Sequence, residues 1–109
     1  MDRETINQKL VPCCMLEISV DEQEKLMQMF KALGNSTRFN ILKFIATHPY
    51  CITGNIVDYV SLAQSTVSQH SKVLRESGWI VGEVEGPSRE YCLHEGNIAW
   101  FRKKVGEIF

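Results

Sequence analysis

The chain has 109 residues, 12 basic and 13 acidic side chains and a formal charge of −1, a size that supports one domain with a modest core and leaves room for help from a second subunit. Near-neutrality argues against a general polyanion binder. The sequence holds no apolar run of about 18 residues to span a bilayer, and its start, MDRETINQKL, lacks the charged-then-apolar build of a secretory leader. The expectation is a cytoplasmic protein with no membrane partner.

In a reducing compartment the four cysteines, Cys13, Cys14, Cys51 and Cys92, are expected as metal ligands, redox sensors or packing groups rather than structural bridges. Charge is unevenly spread. Residues 1–34 carry four basic and six acidic side chains, residues 35–80 four and two, and residues 81–109 four and five. If any part meets phosphate, it is the middle.

Residues 1–18 read as an arm carrying the adjacent Cys13 and Cys14. Neighbouring Cα atoms lie about 3.8 Å apart, whereas ordinary disulfides need roughly 4.4 to 6.8 Å, so the pair calls for a third party. The domain proper is expected over 19–109. It opens on SVDE, where Ser19 and Glu22 form a capping box. Leu26, Met29, Phe30 and Leu33 follow as one apolar stripe, and Gly34 ends that helix. Asn35 or Ser36 caps a second helix through Phe39, Ile41, Leu42, Phe44 and Ile45, too many apolar residues for one face, so it is expected to be buried on most sides. His48 precedes Pro49 and so leaves the helical region.

Thr53 is expected to cap a short third helix with Ile56, Val57 and Val60 inward. A fourth begins near Gln64 and runs to Gly78, a left-handed C′ residue. WIVGEVEGPSREYCL then reads as a β-hairpin, and Ile98, Phe101, Val105 and Ile108 mark a closing helix. The order predicts a mainly α fold with a β-hairpin wing, a winged helix-turn-helix. Phe30, Ile98, Phe101 and Ile108 are more apolar surface than so small a chain buries alone, which predicts a homodimer.

The fourth helix offers Gln64, Ser65, Thr66, Ser68, Gln69 and Lys72 on one face, with Val67 and Leu74 turned inward. Gln pairs bidentately with adenine, and Ser or Thr bonds base edges or backbone. A helix that is only solvated usually favours Glu and Lys over serine. The expected partner is double-stranded operator DNA, with Arg89 on the wing touching its backbone. No phosphate-cradling glycine loop, nucleophile elbow or zinc-hydrolase helix is present, so no enzyme is expected.

The stretches ALGNSTRFNILKFI and CITGNIVDYVSLAQSTVSQHSKVLRESGWIVGEVEGPSREYCL closely resemble the ArsR/SmtB family of winged-helix repressors, over nearly all of residues 20–109. The resemblance implies an obligate homodimer built from the first and last helices, bound to a palindromic operator and released by a metal or metalloid ion. The chain departs from the family in four places. Ser71 stands where the family usually puts leucine, and Ala63 where many members have a serine cap. The closing helix NIAWFRKKVGEIF lacks the histidines of the family's site there. At the start of the third helix Cys51 stands alone, with Thr53 where a second cysteine would fall.

Some members, by the same resemblance, complete that site with N-terminal cysteines, which implies Cys13, Cys14 and Cys51 as three thiolate ligands. Soft ions prefer such sulfur. Three ligands suit arsenite or antimonite, As(III) or Sb(III), which bind in a pyramid, whereas structural zinc wants four. His48 could complete a tetrahedron for Zn(II) or Cd(II), or it caps its helix. Cd(II), Zn(II) or Pb(II) are thus alternative effectors, and thiol oxidation or persulfide formation is a rival signal. A protein-interaction module without an operator is a third class. Cys92, beside Tyr91 and Leu93, is expected to pack, and His70 and His94 have no evident ligand partner by spacing.

Overall fold

The computed structural model describes residues 17–82 and 89–109. Cys13 and Cys14, and the turn EGPS at 85–88, lie outside the described residues. Five helices and a small sheet follow one another as α1 (Val20–Leu33), α2 (Ser36–Thr47), β1 (Cys51–Ile52), α3 (Thr53–Val60), α4 (Gln64–Glu76), β2 (Ile80–Gly82), β3 (Glu90–Leu93) and α5 (Glu95–Ile108). This is the expected winged helix-turn-helix.

Helix α1 starts at the Ser19 capping box: the Glu22 N–H donates to Ser19 Oγ at 3.1 Å, and the Ser19 N–H donates to Glu22 Oε1 at 3.3 Å. Two N–H groups that a first turn leaves unpaired are thus satisfied. Its inward residues Leu26, Met29 and Ala32 are buried, while Phe30 stays exposed. Asn35 caps α2 by accepting from the Arg38 N–H at 3.0 Å. Arg38 Nε reaches back to the Ala32 carbonyl at 2.7 Å, fastening the end of α1 to the start of α2. Ile41, Leu42 and Ile45 of α2 are buried, but Phe39 is 45% exposed. Helix α2 is therefore covered on fewer sides than its composition suggests.

The core joins Met29, Ile41, Ile45, Ile56, Val67, Leu74, Trp79, Ile80 and Tyr91, each apolar side chain contributing about 1.5–3 kcal/mol on full burial. Trp79 satisfies its indole N–H on the Met29 carbonyl at 2.8 Å, joining the wing side to α1. Gly78 sits at φ +93, and a Cβ there would meet Asn97 Nδ2 at 2.7 Å; the same Asn97 amide donates to the Gly78 carbonyl. Only glycine suits that corner.

The sheet is antiparallel, in the order β1-β3-β2, with Cys51 opposite Tyr91 and Val81 opposite Cys92. Strand β1 changes the expected start of the third helix. Pairing with β3 draws Cys51 and Ile52 into the sheet, so Ile52 is the residue before the helix and Thr53 its first residue rather than its cap. The Thr53 hydroxyl turns inward, 3.5 Å from the Tyr91 hydroxyl, and Asn55 Oδ1 accepts from the Ile52 N–H instead, at 2.9 Å.

Candidate nucleic-acid interface and thiol site

Helix α4 follows α3 through a short turn in which Ser61 takes a left-handed conformation, φ 56. The turn sets α4 across the core, with Val67, Ser71 and Leu74 facing inward at i, i+4 and i+7. Gln64, Ser65, Ser68, Gln69 and Lys72 are all exposed. Five polar side chains, most of them able both to donate and to accept, therefore stand on one helix face. Thr66 departs from the expected set, because it flanks the inward seam at Val67 and is only half-exposed.

His70, on the same helix, is partly buried, and burial together with the nearby Arg38 charge holds its pKa below the ordinary value. It is then neutral at pH 7 and adds no positive charge to the face. Arg89 immediately precedes β3 and is half-buried. Its stem runs over Gly82, where a Cβ would come within 2.5 Å of Arg89 Cδ, so the glycine leaves the arginine its path along the wing.

The seat of α4 has two gaps. Ala63 precedes the helix and provides no side-chain cap. Ser71 is fully buried in the seam, and its Oγ finds no hydrogen-bond partner among the described residues.

The second site is the start of α3. Cys51 is buried, at 6% exposure, beneath a cleft of about 380 Å³ lined by Phe44, His48, Pro49, Tyr50 and Asn55. His48 stacks on Phe44, with centroids 4.1 Å apart, and its Nδ1 lies 3.0 Å from both the Phe44 carbonyl and Thr47 Oγ1. It thus closes α2 while sharing the cleft with Cys51. Tyr50, directly before the cysteine, is held at φ 66 by its N–H bond to the Tyr91 carbonyl. Few aromatic residues adopt that conformation without cause.

Burial pushes the Cys51 thiol from 9.0 up to about 11. Cys92 is half-buried, in β3 opposite Val81. His94 caps α5 by accepting from the Asn97 N–H at 3.1 Å. Among the described residues no three His, Cys, Asp or Glu side chains gather as a metal site. Cys13 and Cys14, the other two expected ligands, lie outside the described residues.

Helices α1 and α5 lie side by side. Phe30 and Phe101 meet edge to face at 5.0 Å, Lys25 sits 4.2 Å over the Trp100 ring, and Lys104 Nζ pairs with Glu22 at 2.9 Å. The Lys104 ammonium, helped by the Ser19 N–H, holds the Glu22 carboxyl below its usual range. Val20, Met27, Phe30, Ile108 and Phe109 remain exposed around this pair. No helix among the described residues is long and apolar enough to cross a membrane.

The described elements form a winged helix-turn-helix, a fold shared by the known proteins that the chain resembles. Residues 35–80 match the model of the bacterial regulatory protein, arsR family. The HTH-type transcriptional regulator MJ1325 of Methanocaldococcus jannaschii is 29% identical over 89 residues, 82% of this chain and all of that protein. The arsenical resistance operon repressor of Escherichia coli is 26% identical over 83 residues, 76% of this chain and 71% of that one. A homodimeric winged helix-turn-helix DNA-binding domain from Mycobacterium bovis superposes with a TM-score of 0.66 at 21% identity, over 84% of this chain and 87% of that one. The chain is thus similar to ArsR-family transcriptional regulators over its central segment, and these relatives are regulators rather than enzymes.

Proposed function

We propose that the chain is a cytoplasmic homodimeric repressor that reads a two-fold operator through α4 and is released from it by trivalent arsenic, or antimony, bound to Cys13, Cys14 and Cys51. The observation that carries the DNA half is the exposed row Gln64, Ser65, Ser68, Gln69 and Lys72 on one face of a helix seated by a tight turn. Thr66 flanks that row, and Arg89 supports it on the wing. The exposed apolar residues around α1 and α5 suit a dimer interface, and the Mycobacterium bovis domain, a similar fold, is homodimeric. A two-fold dimer would place its α4 helices on half-sites about 34–36 Å apart.

The number of proposed thiols favours arsenic among the candidate effectors, because three sulfurs suit a trivalent pyramid whereas structural zinc wants four ligands. A divalent ion such as Cd(II), Zn(II) or Pb(II) binds thiolates and displaces their protons. Arsenite in neutral water is As(OH)₃. Three thiols replace its three hydroxides, three As–S bonds form, three As–O bonds break, and the thiol protons leave in three waters. The exchange needs no net proton release. Capture would fix residues 1–18 against the start of α3, next to the reading helix, and a coupling of about 1–3 kcal/mol between the two sites suffices for release.

The test starts from a duplex selected by the protein out of a randomised pool. Wild type should bind it as a dimer, and arsenite should dissociate the complex where equal cadmium or peroxide does not. A monomeric mass at micromolar concentration removes the dimer. Release by peroxide or cadmium alone replaces the effector and keeps the DNA reading.

A further inference from the structure

We infer that Ser71 is a positioning residue for DNA reading: its buried, unpaired hydroxyl keeps α4 from a tight seat on the core, so the reading helix is the softest joint of the domain. The inference rests on the DNA-binding function proposed above and adds the means by which the reading face can move.

The seam of α4 holds three fully buried inward residues, Val67, Ser71 and Leu74, and Ser71, between the two apolar ones, is polar. Ser71 is 0% exposed. It is also the one buried side-chain polar atom among the described residues without a partner. A hydroxyl so placed has given up water and gained nothing in return, and it opposes close approach of the surrounding apolar atoms. Most buried polar groups in folded proteins are paired, so one that is not is a local weakness. Here it falls at the middle of the helix that carries the reading face.

A second, independent gap lies at the same helix's start, where Ala63 supplies no cap. Neither gap occurs in α1, whose cap and buried face are both complete. Helix α3 also starts at a residue without a capping side chain, Ile52, but among the described residues α4 alone adds a buried unpaired hydroxyl to a missing cap. Helices held this way open locally at a lower free energy than the rest of the fold.

The test uses the full chain with Ser71→Ala and Ser71→Cys. Alanine removes the hydroxyl, and cysteine keeps the volume while tolerating apolar surroundings. In the DNA-free protein both should raise the unfolding midpoint by about 4 °C or more. Both should slow amide exchange across Val67–Leu74 about five- to thirty-fold, the range that one or two kcal/mol gives, with little change in α1.

A residue that matters only for stability would stop there. A positioning residue should also raise the ratio of selected-duplex to random-duplex affinity, about fivefold, because random binding rests on charge and not on helix pose. If both variants melt lower and exchange faster, the hydroxyl has a partner such as an ordered water and the inference is wrong. If stability rises and the affinity ratio stays put, Ser71 is a packing defect with no positioning role. Should no duplex be selected at all, the proposed function fails, while the exchange data still decide how α4 is seated.

Discussion

Helices α1 and α4 have nearly the same length, 14 and 13 residues, and each turns three residues fully inward, yet they are held in opposite ways. Helix α1 begins in a reciprocal capping box, accepts the Trp79 indole on its Met29 carbonyl and pairs Glu22 with Lys104 of α5. Helix α4 begins at Ala63 without a cap and buries a serine where its neighbours in the seam are Val67 and Leu74. By the inference above, α1 belongs to a firm platform and α4 is the more loosely set of the two. The proposed function requires binding DNA in one state and leaving it in another, and the inferred lower stability then falls in the element proposed to touch DNA.

Core truncation on the platform should give the largest effect. Met29→Ala removes a fully buried side chain and should lower unfolding free energy by about 2–5 kcal/mol in denaturant titration, opposite in sign to Ser71→Ala. A smaller loss there would mean that the platform, too, relaxes easily, and would break the contrast.

Next in size are the reading residues. Gln69→Ala should cost roughly 1–3 kcal/mol on the selected duplex and little on random DNA if it meets a base. Lys72→Ala should weaken both and flatten the salt slope. Equal binding of both duplexes by Gln69→Ala would remove its assigned role.

The two helix starts make a matched pair of smaller changes. Ser19→Ala should cost α1 about 1 kcal/mol, and Ala63→Ser should return up to about that much to α4. Thermal unfolding and local exchange read both.

A further effect is a slope with pH. Folded and unfolded chains both keep the Cys51 proton below 9.0, and the unfolded chain loses it first between 9.0 and about 11. Stability should therefore fall as pH rises through that window. The slope of wild type minus that of Cys51→Ala isolates this group from the lysines and tyrosines titrating nearby. Identical slopes would show that Cys51 is not held protonated by the fold.

Features set by residues close along the chain are legible in the sequence alone. The Ser19 box, the Asn35 cap, the α4 stripe and Gly78 all depend on neighbours within a few positions. The family resemblance marks Ser71 and Ala63 as departures, and the structure supplies the burial that makes the first one matter. What the sequence does not reveal depends on distant partners. Strand β1 has two residues and exists because β3, some 39 positions later, pairs with it; no periodicity can be read from two residues. That pairing shifts Thr53 from cap to first helical residue and buries Cys51. Thr66 sits on the helix face by count, but its half-burial follows from how α4 rests on the core. The Arg38 bond to the Ala32 carbonyl joins two helices across a turn and has no local signature.

The proposed link between the thiol at the start of α3 and the face of α4 is tested most directly by one measurement. Operator affinity is followed through parallel arsenite titrations of wild type, Cys13→Ser, Cys14→Ser, Cys51→Ser and Cys92→Ser. All five should bind the duplex without arsenite; wild type and Cys92→Ser should release it as arsenite is added, and the other three should hold on. A Cys51→Ser protein that arsenite still releases would contradict this link, because the third sulfur and its coupling to the reading helix would then play no part.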